Sequence, residues 1–274
     1  ITKIKKFTWI DTGSNENFSR ARNFFKDNFL LKPEEFLYKE NNKILKFFLN
    51  KSKAKKRYKR SKYIKKIIPQ TYLSGENFIW YNFVKGKLLS NTNEEIIFKN
   101  FLNFLLKNIW SYKLTNKNKI TEMKKRAFDF YKNKTYSRVK QYLLLNKEAD
   151  KIKWINNFNV VPINTLLNKI DWEYLSNGCF AKFHGDPQPE NIIVINKNHF
   201  KTIDWREDFG GELEYGDIYY DFAKIYHSLI ITHKRIREEK YSVNYEGEFA
   251  KYKFSKRLNL INYLHYFEKF LKKK

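Results

Sequence analysis

The period of the apolar residues changes once along the chain, and that change constrains the fold more than any other feature. Up to about residue 85 they fall in runs of strand length. Phe36-Leu37-Tyr38-Lys39 and Lys43-Ile44-Leu45-Lys46-Phe47-Phe48 flank the turn Glu40-Asn41-Asn42. Ile67–Leu73 and Asn77–Val84 follow, with Ser74-Gly75 between them and Lys85-Gly86-Lys87 ending the second. Aromatic and β-branched runs separated by such turns read as hairpins. From Asn93 the period is helical, with Ile97, Phe101, Phe104, Leu105 and Ile109 on one face. Residues 120–146 and 147–175 give further amphipathic segments, broken at Pro162. A helix from Asp217 buries Ile218, Phe222, Ile225 and Leu229, and Lys251–Lys274 reads as a basic terminal packing helix. The expectation is an α+β chain, β-rich first and helical after.

The chemistry sits in the second half. His184-Gly185-Asp186-Pro187-Gln188-Pro189-Glu190-Asn191 leads into the apolar run Ile192–Ile195, and Ile203-Asp204-Trp205 closes another. Phosphoryl transfer needs one carboxylate to take the proton of an attacking hydroxyl. It also needs an amide and a second carboxylate to hold Mg²⁺ on the phosphates. Asp186, Asn191 and Asp204 are those types in workable order.

His-Gly-Asp-x-x-x-x-Asn followed by Ile-Asp-Trp resembles the aminoglycoside phosphotransferase and choline kinase group, small-molecule relatives of the protein kinases. Gly185 and Trp205 depart from the His-Arg-Asp and Asp-Phe-Gly of protein kinases, which turns the reading toward small substrates. The resemblance implies a two-lobed protein-kinase-like fold, with a small β-rich N-lobe over residues 31–86 and a larger helical C-lobe over 87–274. It implies Asp186 as catalytic residue, Asn191 and Asp204 on magnesium, and ATP as phosphoryl donor. Lys46, with Lys43 as the alternative, takes the lysine role on the phosphates. Trp80, Tyr81, Phe83 and Val84 fall where a strand end binds adenine. The helix that should supply a glutamate to orient the lysine coincides with residues 51–68, which contain no acidic residue; Glu76, Glu35 and Glu40 are the substitutes. His184, Asp217 and Asp221 read as structural.

The acceptor implied is a hydroxyl of a small molecule, an amino alcohol such as choline or a sugar. Glu207, Asp208, Glu212 and Glu214 are candidates to receive a cationic amine, and Trp154, Trp172 and Tyr215 to cage a quaternary ammonium. Trp9-Ile10-Asp11-Thr12-Gly13, within residues 6–25, resembles the end of a sugar-phosphate nucleotidyltransferase. Ser14 reads as the cap of the helix behind it. Residues 1–30 are therefore a C-terminal remnant of such a domain or a lead-in segment, with Asp11 stranded from its metal site. Ile1 in place of methionine points to a piece of a longer product. A bifunctional kinase and nucleotidyltransferase would suit the decoration of surface polysaccharide.

Composition limits the rival classes. At 274 residues, with 42% hydrophobic and 18% aromatic residues, the chain can bury a substantial core. Cys179 is the only cysteine, so no intrachain disulfide forms and a reducing cytoplasm is expected. No apolar run nears the roughly twenty residues of a membrane span; Phe101–Trp110 is interrupted by Asn103, Lys107 and Asn108. No signal peptide is read at the start. The net charge of +26 is densest over Lys51–Lys66, where tyrosines interleave. Lysine, asparagine and isoleucine are abundant throughout, however, as drift in an AT-rich genome produces. No nucleic-acid motif accompanies the charge, so it reads as general attraction for phosphate, ATP included. A catalytically weak kinase-like nucleotide-binding module is the second reading and a basic nucleic-acid-binding protein the third.

Overall fold

Asn41 lies in the left-handed region (φ 50°), which asparagine tolerates better than most residues. It turns strand β1 (Glu35–Glu40) into strand β2 (Lys43–Phe48). The computed structural model describes residues 34–273; the stretch read over residues 1–30, with Asp11 and Ser14, lies outside the described residues. Side chains alternate across a strand, so Ile44, Lys46 and Phe48 share the buried face of β2. Helix α1 (Lys51–Ser61) starts at Asn50, whose side chain accepts from the Lys53 amide at 3.2 Å. Strands β3 (Thr71–Ser74) and β4 (Phe78–Asn82) complete an antiparallel sheet in the order β1-β2-β4-β3.

The third strand starts four residues later than the sequence suggested. Ile64, Ile67 and Ile68 instead turn into the core. The Ile67 amide bonds to Ile64 O (3.0 Å) and its carbonyl accepts from the Thr202 amide (2.7 Å), so neither group is available to the N-terminal sheet. β4 likewise ends at Asn82 rather than Val84.

Strand β5 (Lys87–Leu88) leaves this sheet. Gly86 before it passes so close to Ile193 and Val194 that a Cβ would collide with both. Helix α2 (Glu95–Leu105) continues through a wider turn, Leu106–Trp110, and the long helix α3 (Lys117–Leu145) follows. Strands β6 (Trp154–Ile155) and β7 (Phe158–Asn159) make a small hairpin where an amphipathic helix was expected. Short helices α4 (Ile163–Asn168) and α5 (Trp172–Ser176) lead to strands β8 (Phe180–Lys182), β9 (Ile192–Asn196), β10 (His199–Thr202) and β11 (Tyr215–Asp217). β9 pairs with both β10 and β5, and β8 with β11. Helices α6 (Ile218–Ile230) and α7 (His233–Arg237) come next, then the hairpin of β12 (Tyr241–Glu246) and β13 (Phe249–Phe254), then helix α8 (Leu258–Leu271).

The architecture is α+β, β-rich at the N-terminal end and mainly helical beyond it. The main core joins the two: Phe48 and Ala54 belong to one cluster with Phe98, Phe101, Phe222 and Phe267. Each large apolar side chain buried this way contributes about 1.5–3 kcal/mol. A second cluster, Met123, Ala127, Phe180, Phe183 and Phe209, packs α3 against the loop that follows β8.

Candidate active site

The loop after β8 is pinned from below by one carboxylate. Asp221, fully buried on α6, accepts from the amides of His184 (2.8 Å) and Gly185 (2.6 Å) and from Trp110 Nε1 (2.9 Å). Burial pushes its carboxyl up to about 6, against the pull of those hydrogen bonds and of Arg60. Gly185 has φ of 89° and sits where a Cβ would strike Arg206, so the two loops meet through the missing side chain. His184 is fully buried and its Nδ1 accepts the Asp186 amide (3.2 Å). Burial and the nearby Arg60 push its imidazole down to about 3, and it stays neutral.

That loop presents Asp186. Lys224 Nζ of α6 lies 2.8 Å from Asp186 Oδ1, while Gln188 Nε2 and Asn191 Nδ2 each donate to Oδ2 at 3.3 Å. Asn191 Nδ2 also donates to Asp186 O (3.0 Å), closing the loop on itself. The Ile203 amide donates to Asn191 O (2.9 Å), which brings Asp204 alongside. Asp204 has φ of 62°, a left-handed backbone that only a few non-glycine residues adopt.

Lys46 reaches Asp204 from the sheet and donates to Oδ1. Arg57 Nη1 of α1 donates to the same oxygen at 3.0 Å. Behind Arg57, Glu35 of β1 accepts from Arg57 Nη2 (3.2 Å) and lies 2.7 Å from Lys53 Nζ. Burial lowers the Lys46 ammonium against the attraction of Asp204. It acts to raise Glu35, but Arg57 and Lys53 outweigh it and hold that carboxyl low. The helix expected to supply an orienting glutamate thus supplies an arginine, and the acid beside it, Glu35, comes from β1. Of the other candidates, Glu76 is exposed and pairs with Lys51 (2.5 Å) and Lys55 (2.8 Å), and Glu40 is exposed at the end of β1. Lys43 stands over the Trp80 ring at 4.4 Å.

Arg60 is the residue the sequence reading missed. It is fully buried, and its guanidinium donates to the carbonyls of Phe183, His184 (3.0 Å) and Arg206 (2.6 Å) while lying over the Phe183 ring (3.8 Å). Trp205 Nε1 returns a bond to Arg57 O (3.0 Å). Within a run of lysines and arginines no local signal separates such a residue from its solvated neighbours. The only hint was Ala54, Arg57 and Ser61 at helical spacing.

The side chains of the four residues assigned to the adenine pocket do not share one face. Cross-strand partners share a face, so Tyr81 (opposite Ile44) and Ile79 (opposite Lys46) lie on the Lys46 side. Trp80 lies on the other side, stacked on Tyr72 at 4.1 Å. Phe83 is half-exposed under Lys39, its amide bonded to Asn42 O (2.8 Å). Val84 lies beyond the strand. The proposed aromatic cage is dispersed as well. Trp154 stacks on Phe249, Trp172 meets Tyr136, and Tyr215 lies beneath Lys119.

No family model matches the chain, and no curated protein sequence does. Solved structures similar in fold include two complexes of one protein. One is the streptomycin–ATP–APH(2")-IIa ternary complex, with 18% identity, a TM-score of 0.42, and coverage of 78% of this chain and 75% of that one. The other is the gentamicin–APH(2")-IIa complex, with 16% identity, a TM-score of 0.47, and coverage of 94% and 83%.

Proposed function

We propose that the chain is an ATP- and Mg²⁺-dependent phosphotransferase acting on a hydroxyl of a small molecule. The observation that carries this reading is the convergence of Lys46 from the sheet on Asp204, beside the loop that holds Asp186 and Asn191. Asp186 accepts the proton of the acceptor hydroxyl. The acceptor oxygen forms its bond to the γ-phosphorus as the bond from that phosphorus to the β,γ-bridging oxygen breaks, and ADP leaves with the electron pair. The proton passes from Asp186 to solvent. Lys46 holds the phosphates once Asp204 shares it, and most of the acceleration comes from such positioning and charge neutralisation.

Asn191 and Asp204 offer hard oxygen donors on adjoining loops. That suits Mg²⁺, which takes one or two protein carboxylates and completes its shell with phosphate and water. Among the described residues no cluster of three or more His, Cys, Asp or Glu is placed to hold a metal. When bound, magnesium supplies neutralising charge to the phosphates.

One observation favours a second reading, a nucleotide-binding module of weak turnover. Lys46 and Arg57 already neutralise Asp204, and Lys224 already neutralises Asp186. Magnesium-dependent ATP consumption by the full chain, measured with sugars, polyols and amino alcohols, separates the two. Asn191→Ala and Asp204→Ala should each weaken Mg²⁺–ATP binding by about tenfold or more; unchanged metal-dependent affinity in both would remove them from the site.

A further inference from the structure

Three cations gather round one ring beside Asp186. Lys134 Nζ of α3 donates to the Tyr220 hydroxyl (2.7 Å) and lies 4.9 Å from the centre of that ring. The Arg206 guanidinium lies 5.9 Å from it and Lys224 Nζ 6.0 Å. Lys134 and Arg206 also share the Phe130 ring, at 4.7 Å and 4.8 Å. Of the three, only Lys224 has a carboxylate partner among the described residues, and that partner is Asp186 itself. Arg206 Nε donates to a neutral carbonyl, Asp208 O, at 2.9 Å. Burial first, then repulsion from Arg206, Arg138 and Lys224, pushes the Lys134 ammonium down to about 7. A site whose own cations repel each other is relieved by an incoming negative group.

The carboxylates that might have received an amine are differently placed. Glu207 lies 3.8 Å from Arg57, Asp208 2.8 Å from Lys56, Glu212 3.6 Å from Lys119 and Glu214 3.4 Å from Lys182. Each is already matched by a cation of the chain. The surplus near Asp186 is positive.

We propose that the acceptor is an anion, a hydroxyl-bearing small molecule whose carboxylate or phosphate group is received by Lys134, Arg206 and Lys224. The proposal rests on the phosphotransferase reading of the same site. It also gives Lys224 a part in the cycle. In the free chain Lys224 holds Asp186, and an acceptor anion offers it a second partner, which frees the Asp186 carboxylate to face the hydroxyl. The same cations would suit the phosphoryl group in transfer, so the test must separate the two anions.

The test titrates the full chain at fixed ionic strength with matched probes: glycerol 3-phosphate against glycerol, glucose 6-phosphate and glucuronate against glucose, and choline. It is repeated with Lys134→Ala and Arg206→Ala, with ATP affinity and melting temperature measured alongside. At least one anionic probe is expected to bind about tenfold or more tighter than its neutral counterpart, as one added charge contact of modest strength allows. That preference should collapse in both variants while ATP affinity stays within about twofold. A preference that survives both substitutions would mark a general effect of the basic surface and overturn the proposal. So would binding of choline or the neutral probes as tight as that of the anions. Loss of ATP affinity in step with loss of anion binding would assign the cations to the transferred phosphate, and also overturn it. Turnover keeps the two readings apart. Anion binding through Lys134 and Arg206 with no ATP consumed on any acceptor upholds the anion site and sinks the phosphotransferase reading. ATP-dependent phosphorylation of choline in preference to the anions does the reverse.

Discussion

Asp186 and His184 stand two residues apart and answer to opposite tests. If Asp186 receives the acceptor proton, Asp186→Asn keeps the size of the side chain and its contacts with Gln188 and Asn191 but loses the charge. Turnover is expected to fall by about two orders of magnitude or more while ATP affinity persists. A folded variant with near-normal turnover on the true acceptor would refute the assignment. His184 should instead show itself in stability. Its folded pKa of about 3 lies below the 6.5 of a free imidazole, so the unfolded chain takes the proton first and stability is lost as pH falls through 6.5. Asp221, raised to about 6, works in the opposite sense as pH nears 6, and Lys134, lowered to about 7, works in the same sense as His184, so the His184 part is read as the difference between the chain and its His184→Gln variant. His184 should account for about 0.7 kcal/mol of the change between pH 7 and pH 6, and His184→Gln should flatten the slope in urea titrations by that much; an unchanged slope would assign the loss to another group. Asp186, Asn191 and Asp204 could be singled out as candidates from sequence because their types and spacing carry chemical meaning together, and the fold brings their loops side by side. The anchoring role of Asp221 could not, since a carboxylate that accepts backbone amides 36 and 37 residues away leaves no local trace.

Helix α1 shows why a basic run is a poor guide to surface. Lys51, Lys53, Lys55, Lys56 and Arg57 all meet carboxylates of the chain, and Arg60 meets carbonyls. Its inward face is built of charge where most helices use leucine, so hydrophobic periodicity is blind to it. Arg60→Leu should therefore cost stability although it adds apolar surface, because three loop carbonyls lose their donor. A loss of about 3 kcal/mol or more is expected in chemical denaturation; a neutral or stabilising result would mean that water or repacking satisfies them. The first hairpin was legible to within a residue at each end of its first strand, and its second strand in full, because Asn41-Asn42 punctuates two apolar runs. The hairpin of β12 and β13 had its own signal, Tyr241–Glu246 and Phe249–Phe254 about Gly247 (φ 56°). The sequence reading passed over the first strand and took the second, from Lys251 on, into the terminal helix. Exposed faces on both strands leave little amphipathic alternation to find.

Across the whole molecule the basic excess is only partly matched: 55 lysines and arginines face 29 acids. Unmatched surface charge repels itself and favours expansion, and salt screens it over about 8–10 Å at physiological strength. The melting temperature should rise as sodium chloride goes from about 10 mM to about 150 mM. A fall would mean that the internal ion pairs outweigh the repulsion. Sequence foresaw the order, strands before helices, from the change of period near residue 85. It did not foresee how closely the two halves are joined. The Thr202 amide bonds to Ile67 O, Lys201 reaches Ile68 O (3.0 Å), and Trp205 reaches Arg57 O. Contacts so distant in the chain have no periodic signature.

The pairing of Glu35 with Arg57 also bears on how such a chain can change over generations. A single step placing glutamate at position 57 would set two acids face to face beside Asp204, with one cation fewer among them. A single step removing Glu35 would leave Arg57 leaning on Asp204 with less to hold it back. Positions 35 and 57 are thus free to exchange their charges only together, or by way of an uncharged intermediate.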